Sequence, residues 1–517
     1  MPSRTRRPRL LALVVVMVLA SGCGSPSPSS TAAIPPSPAS TAGPTIAATP
    51  VAPTPTPGPT SLTWRKGGVA DLAETAALAV PLDYGNPSAG TITLIIARRR
   101  AADPSHRLGV LFVNPGGPGG PAVDLAGSSG LSTLIPQAVL DRFDVISWDP
   151  RGIGLSHGLT CPDAATLDQI ESLDPDPRTP STIGAYRTAF DAVASQCQAI
   201  ARDVLPYLSE ANSARDIDTI RAALGERTIS YLGWSYGTYL GYLYATLFPT
   251  HLRAAVLDGA VDPTIDLVQR DVDQARGFER AFDHFLATCA AATACPFHGG
   301  GDPAAAYDAL ITTLERSPQG QVLDAGQAVT GTLAFLYGRD YPGLATALAE
   351  AEQGDGVRLR QVADDFFGSV SLGAYEATLC LDVPHATTTD AIAAALEQAR
   401  KVAPRFGPLV LLSDQYGCLD WPASAGPAPV AGPPATLPPI LIIASRWDPA
   451  TPPWWADALA KALGSGIVVT RDGVGHTSSD VTVSSDCLRT AVVSYFEALR
   501  RPAAGTVCSG GAPAPWQ

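Results

Sequence analysis

The segment Thr228-Ile-Ser-Tyr-Leu-Gly-Trp-Ser-Tyr-Gly-Thr238 constrains this chain more than any other. It reads as a short apolar strand, a Gly-x-Ser-x-Gly turn, and a helix from Tyr239 to about Phe248. A strand that turns sharply into a helix lifts the Ser235 hydroxyl out of a sheet, and Gly233 and Gly237 let the backbone approach closely. The pentapeptide alone is weak, because a chain with 48 glycines among 517 residues matches it by chance. The flanking strand and helix turn a Gly-rich loop into a candidate nucleophile site.

A serine nucleophile needs a base, a group that orients the base, and donors for an oxyanion. Pro439-Ile-Leu-Ile-Ile-Ala-Ser445 is an apolar run that predicts a buried strand, and it ends in Arg446-Trp-Asp448-Pro-Ala-Thr-Pro452. Gly466-Ile-Val-Val-Thr470 predicts the next strand and leads into Arg471-Asp-Gly-Val-Gly-His476. Asp448 and His476 stand 28 positions apart, room for one helix and one strand. The order Ser, Asp, His is that of the α/β-hydrolases. In this reading Asp448 holds the imidazole tautomer, and His476 takes the Ser235 proton and returns it to the leaving group. The alternative for Asp448 is a turn residue before proline. Among the other histidines, His106 and His157 lie in polar loops, His251 follows a helix end, and His284 and His298 sit in a middle segment. No strand end presents His385.

The oxyanion donors are expected from a glycine run. Leu108–Val113 predicts a strand, and Asn114-Pro-Gly-Gly-Pro-Gly-Gly120 follows it. Such a turn aims backbone N–H groups at a developing charge without side chains in the way. One donor comes from this loop and one from the residue after the nucleophile. Gly116 and Tyr236 are the expected pair, with Gly117 the nearest rival to Gly116.

Taken together, Asn114–Gly119, Trp148-Asp-Pro-Arg-Gly-Ile-Gly-Leu-Ser156, Gly233–Gly237, Leu257-Asp-Gly-Ala-Val-Asp-Pro263, Asp448–Pro452 and Cys418-Leu-Asp-Trp-Pro422 resemble one family. It is the secreted bacterial tripeptidyl aminopeptidase branch of the proline iminopeptidase-like α/β-hydrolases. The resemblance spans about Trp64 to Cys508. It implies a serine exopeptidase and a cap that admits short peptides. The resembled iminopeptidases bind the substrate amine with acidic cap side chains; here the candidates for that role are Glu376 and Asp382, which flank Cys380, the alternative being one solvated and one structural carboxylate. Six positions apart, the two diverge on a regular helix, so a break near Cys380 is needed to turn both toward the cleft.

The N-terminus predicts export. Arg4, Arg6, Arg7 and Arg9 precede an apolar run from Leu10 to Ala20, a secretory leader too short to span a bilayer comfortably. Ala20-Ser-Gly-Cys23 reads as a lipobox, with cleavage before Cys23 and lipid on its sulfur; plain cleavage nearby is the alternative. Residues 24 to about 60 carry no charge and are mostly Pro, Ser, Thr and Ala, the composition of a solvated tether.

Cys161, Cys197, Cys289, Cys295, Cys380, Cys418, Cys487 and Cys508 remain, an even number in an exported chain, which suggests up to four disulfides. Sequential pairing is the simplest expectation, because each neighbouring pair falls within one predicted region, but spacing alone leaves the connectivity open. With no Cys-x-x-Cys and scattered histidines, no zinc site is predicted. Without the leader, 31 basic residues face 48 acidic ones, with no basic cluster to bind nucleic acid.

These readings give an α/β-hydrolase fold, a mostly parallel sheet flanked by helices, with a large, mainly helical cap inserted after the sixth strand. The expected divisions are a leader (1–22), a tether (23–60), a first core part (61–261), the cap (262–434) and a C-terminal core part (435–517). Strands are predicted near 77–82, 91–98, 109–113, 143–148, 228–232 and 254–257, and cap helices at 271–289, 303–316, 343–353, 357–367 and 388–402. The expected activity is release of short peptides, with tripeptides foremost, from free N-termini, with no cofactor and with membrane contact only through lipid. A carboxylesterase or lipase-like hydrolase on the same triad is the alternative. A non-catalytic tethered binding lipoprotein is a second one.

Overall fold

The computed structural model describes residues 62–67, 73–319, 322–423, 437–479 and 485–510. The leader, Cys23 and the 23–60 tether lie outside these residues. Ten strands are described: β1 (Arg65–Lys66), β2 (Glu74–Pro81), β3 (Thr91–Arg99), β4 (Gly109–Asn114), β5 (Phe143–Trp148), β6 (Ile229–Trp234), β7 (Leu252–Asp258), β8 (Ile440–Trp447), β9 (Gly466–Val474) and β10 (Thr506–Ser509). They form one sheet in the order β1-β2-β3-β5-β4-β6-β7-β8-β9-β10. Pairing is antiparallel from β1 to β5 and parallel from there to β10.

The sequence explains this division. Every residue of β5 and β6 is buried, and the runs Val110–Val113 and Ile440–Ile443 are unbroken, as parallel strands covered on both faces require. In β2, buried Ala76, Leu78 and Val80 alternate with exposed Ala77 and Ala79, the pattern of an antiparallel flank with one wet face. Successive residues feed opposite cores: Phe112, Ile146, Tyr231, Leu257 and Ile442 on one face, Val113, Val145, Leu232, Val256 and Ile443 on the other.

The parallel register assembles the site. Asn114 pairs with Gly233, Trp234 with Asp258, Asp258 with Ile443, and Trp447 with Val474. The loops that leave β4, β6, β7, β8 and β9 therefore emerge side by side at the C-terminal edge, where open α/β sheets bind ligands.

Between β7 and β8 the described residues form eight helices: Leu267–Ala290, Pro303–Arg316, Ala325–Tyr337, Tyr341–Glu352, Val357–Phe367, Leu372–Asp382, Thr389–Val402 and Gly407–Leu419. Leaving aside the two-residue β1, this insertion follows the sixth strand. Part of it packs around its own core, where Phe282 meets Tyr307 at 4.6 Å and Phe406 edge-on at 5.4 Å. Asp266 caps the first helix by accepting the Gln269 N–H, and Asp324 and Gln327 form a capping box on the third. The Ala325–Tyr337, Leu372–Asp382 and Gly407–Leu419 helices were not expected. Each is buried on most sides, so no polar face marks a helical period in its sequence.

Four disulfides pair the cysteines in chain order: Cys161–Cys197, Cys289–Cys295, Cys380–Cys418 and Cys487–Cys508. The third joins the Leu372–Asp382 and Gly407–Leu419 helices, and the fourth ties the Asp486–Ala498 helix to β10. Four bridges fit an exported protein. No described helix is long and apolar enough to cross a membrane.

Candidate active site

The turn after β6 has the geometry that its sequence requires. Ser235 sits at φ +54°, the left-handed region that costs a residue with a Cβ, between β6 and the Gly237–Leu247 helix. The surrounding bonds hold it there: the Ser235 N–H donates to the Asp258 carbonyl at 2.9 Å, and the Thr238 hydroxyl donates to the Ser235 carbonyl at 2.6 Å. A Cβ at Gly233 would overlap the Gly237 carbonyl, and one at Gly237 would lie 2.6 Å from the Asn114 carbonyl oxygen. Both glycines are thus needed for close approach.

Asp448 leaves β8 and His476 leaves β9, and the structure brings them together. His476 Nδ1 lies 2.9 and 3.1 Å from the two Asp448 oxygens. Beside a carboxylate, Nδ1 carries the proton and Nε2 is left as the base. Asp448 is itself held by the N–H groups of Ala450, Thr451 and Thr477 at 3.0, 2.9 and 3.2 Å. The Thr451 hydroxyl lies 3.2 Å from His476 Nδ1. His476 Nε2 is buried and has no hydrogen-bond partner among the described residues. Burial pushes the Tyr337 phenol up to about 12, the charge of Asp448 adds to this, and the neighbouring Ser235 opposes it. The Asp–His half of the triad is closed, and the Ser–His bond is not.

The glycine turn departs from expectation in one donor. Gly116 does lie against the elbow, since a Cβ there would stand 2.7 Å from the Tyr236 nitrogen. Its own N–H, however, donates to the Asn114 side-chain oxygen at 2.9 Å. Gly117, at φ +120°, makes no backbone hydrogen bond with its N–H among the described residues. Tyr236 heads the following helix, where N–H groups lack intrahelical partners. The Gly116 N–H is thus already engaged, whereas those of Gly117 and Tyr236 have no backbone partner among the described residues.

The two acidic residues read as an amine site are not brought together. The Leu372–Asp382 helix runs unbroken through Cys380, so the carboxyls diverge as a regular helix dictates. Asp382 accepts the Tyr236 hydroxyl at 3.0 Å and the Glu210 N–H at 2.9 Å. Glu376 packs against the Cys380–Cys418 bridge, and burial raises its carboxyl well above the ordinary range, with the charge of Asp414 adding to this. Sulfurs joined in a disulfide offer no thiolate, so this group is not a metal site.

Arg270 lies over Tyr236, its guanidinium carbon 5.1 Å from the ring. Its Nε and Nη1 are buried without hydrogen-bond partners among the described residues. Asp271 beside it accepts the Gln415 amide at 2.6 Å with one oxygen and leaves the other unpartnered. The Tyr375 hydroxyl donates to Asp414 at 3.1 and 3.2 Å. Burial raises Asp271 and Asp414, and the two carboxyls act on each other; the charge of Arg270 opposes the rise.

Residues 109–299 match the model described as "alpha/beta hydrolase fold", and residues 403–508 the one described as "TAP-like protein". Serine protease Hip1 of Mycobacterium tuberculosis is 31% identical, with 83% of this chain and 86% of that one aligned. Carboxylesterase B of the same organism is 33% identical over 82% and 84% of the two chains. Tripeptidyl aminopeptidase of Streptomyces lividans is 29% identical over 84% and 83%. The chain belongs to the TAP-like α/β-hydrolases. It is a serine hydrolase.

Two residues of the Trp148–Ser156 motif of this TAP-like hydrolase build the site without lending it a nucleophile or base. Asp149 accepts the N–H groups of Ala122 and Val123 at 2.7 and 2.8 Å and so anchors the exit of the glycine turn. Arg151, fully buried, makes a two-pronged pair with Asp216 at 2.7 and 2.8 Å and binds the carbonyls of Pro81, Leu82 and Tyr207. Thr451 and Asp258 were present in quoted motifs but had no assigned role. Tyr337 and Arg270 carried no sequence signal: one ends a helix buried all round, and the other reads as an ordinary charge on a long helix.

Proposed function

We propose that this serine hydrolase is an exported exopeptidase that releases short peptides, with tripeptides foremost, from free N-termini. The observation that carries the peptide reading is the buried polar cluster of Arg270, Asp271, Tyr375 and Asp414 beside Tyr236, the residue after the nucleophile. A peptide offers such a cluster carbonyl oxygens and an ammonium group, whereas a simple ester offers neither chain nor charge. The names of two relatives, a serine protease and a tripeptidyl aminopeptidase, favour the same reading. In this mechanism Ser235 attacks the scissile carbonyl, and His476 takes its proton while Asp448 stabilises the imidazolium. The N–H groups of Gly117 and Tyr236 receive the oxyanion. His476 then protonates the leaving amine, and water clears the acyl-enzyme. A carboxylate of the helical insertion takes the substrate amine; the candidates are Asp382, which accepts the Tyr236 hydroxyl, Asp271 beside Arg270, and Glu376. A lipid at Cys23 would anchor the chain to the cell envelope.

Ester hydrolysis is the second reading, favoured by the relative named carboxylesterase B. The deciding assay pits free and N-blocked mono-, di- and tripeptide fluorogenic amides against short-chain esters, with Ser235→Ala as the control. Preference for free-amine tripeptide amides supports the exopeptidase. Turnover of esters with no amide cleavage would sink it.

A further inference from the structure

Asp258, at the C-terminal end of β7, touches both halves of the triad without belonging to it. Its backbone carbonyl accepts the Ser235 N–H at 2.9 Å. Its side-chain Oδ2 accepts the N–H groups of Ser478 and Ser479 at 2.8 and 2.6 Å, in the turn that follows His476. The Ser479 hydroxyl in turn accepts the indole N–H of Trp234 at 2.9 Å, the residue before the nucleophile. The next residue completes the arrangement. Gly259 has φ +70°, and a Cβ there would lie 3.1 Å from His476 Cε1 and 3.0 Å from the Thr451 hydroxyl. Further along, the Val261 N–H donates to Thr238 Oγ1 at 2.9 Å, the same hydroxyl that binds the Ser235 carbonyl. The Asp-Gly of the Leu257–Pro263 motif thus has a physical reading: the carboxylate grips the histidine turn, and the glycine leaves room for the imidazole.

We propose that Asp258 is a positioning residue of the hydrolytic reaction, which fixes the His476 turn relative to Ser235 and places a second carboxylate within charge reach of the imidazole. The division of labour with Asp448 is geometric. Asp448 sets the ring through Nδ1, whereas Asp258 sets the backbone beyond the ring. Asp258 is fully buried, and its Oδ1 has no partner among the described residues, so half of its accepting capacity is left over. Burial raises this carboxyl; the Ser478 and Ser479 N–H groups, the Ser479 hydroxyl and the charge of His476 oppose the rise. The coupling is mutual: an anionic Asp258 favours the imidazolium that forms in the transition state. The other polar and charged groups around His476 are Asp448, the Thr451 and Tyr337 hydroxyls, Arg339, which donates to the Thr477 carbonyl, and Arg471, which donates to Ser478 Oγ at 2.9 Å.

The proposal rests on the serine-hydrolase assignment and not on the choice between peptide and ester. The test is kinetic, on the purified chain, with Asp258→Ala and Asp258→Asn assayed on an ester and on a tripeptide amide across pH, alongside thermal unfolding. Asp258→Ala should lower kcat by about 10- to 100-fold on both substrates, with KM within about threefold of wild type. Asp258→Asn, whose carboxamide oxygen still accepts the two N–H groups, should recover most of kcat. Its acid limb in kcat/KM should move down by about 0.3–0.5 pH unit, because the variant removes a negative charge from beside the imidazolium. A purely architectural role would lower the melting temperature and leave the limb in place. Wild-type kcat in folded Asp258→Ala, or an unmoved limb in Asp258→Asn, would overturn the proposal. If the alanine variant fails to fold, the asparagine variant's limb decides alone. Full activity in Ser235→Ala would instead strike the hydrolase assignment, and the two failures are separable.

Discussion

The Tyr337 ring lies 4.4 Å from the His476 imidazole, and the Tyr337 carbonyl accepts the His476 backbone N–H at 3.2 Å. The helical insertion therefore reaches the base directly, and its Tyr337 side chain stands near Ser235. Removing only the hydroxyl, in Tyr337→Phe, should leave acylation by a fluorophosphonate probe as fast as in wild type or faster. Removing the ring as well, in Tyr337→Ala, should slow it about tenfold, because the imidazole loses its packing partner. A slow Tyr337→Phe would mean that the hydroxyl assists the chemistry.

Asn114 carries the oxyanion turn. Its side-chain oxygen holds the Gly116 N–H, and this bond fixes the orientation of the next peptide, whose Gly117 N–H has no backbone partner among the described residues. Asn114→Ala should loosen that donor and lower kcat by about 10- to 100-fold with little change in KM, the signature of an interaction made mainly in the transition state. Burst kinetics on an activated ester would place the loss in acylation. An unchanged burst rate would remove Asn114 and Gly117 from the oxyanion site.

The sheet and the pairing of Asp448 with His476 were legible because each of these two residues lies at the end of a marked strand. Val110–Val113 and Ile440–Ile443 are short apolar runs bounded by turn residues, as strands covered on both faces are, and the glycines at 233 and 237 gain meaning from the strand before and the helix after them. Sequence does not choose between Gly116 and Gly117 as a donor, because the choice between adjacent peptides depends on where one side chain, Asn114, turns. Glu376 and Asp382 looked paired only if their helix broke, and nothing in Ala377-Thr-Leu-Cys380 breaks a helix. Tyr337 and Arg270 were invisible for a different reason: each matters through contacts more than 30 positions away in sequence, with His476 in one case and Tyr236 in the other.

Asp382 gives a pH dependence of stability. Burial pushes its carboxyl up to about 7, with the Glu210 N–H, the Tyr236 hydroxyl and the charge of Arg270 opposing. An unfolded aspartate titrates near about 3.9. The folded state thus holds this proton more tightly than the unfolded state does. The resulting stabilisation is complete below about pH 4 and is lost as the pH rises through about 7. Asp382→Asn substitutes a neutral amide for the neutral acid and removes that loss. Its melting temperature relative to wild type should improve by about a few degrees between pH 5 and pH 8. A difference that stays constant over this range would show that Asp382 does not titrate within it.

Arg270 separates the two substrate classes. A guanidinium with two buried nitrogens that find no partner among the described residues is costly unless a ligand or water supplies acceptors. Its place over the Tyr236 ring sets it beside the residue that we propose as an oxyanion donor. A peptide backbone carbonyl on the acyl side of the scissile bond is an acceptor of the right kind, and a short ester has no such group beyond the bond that is cut. Arg270→Met keeps much of the side-chain volume and removes every donor. It should raise KM for tripeptide amides by about tenfold, equivalent to about 1.4 kcal/mol, while kcat/KM for an acetyl ester changes less than about twofold. Arg270→Lys should fall between, since a single ammonium replaces the planar fork. Parallel losses on both substrates, accompanied by a lower melting temperature, would make Arg270 a counter-charge for Asp271 and Asp414. Unchanged kinetics on both would remove it from the substrate's path altogether.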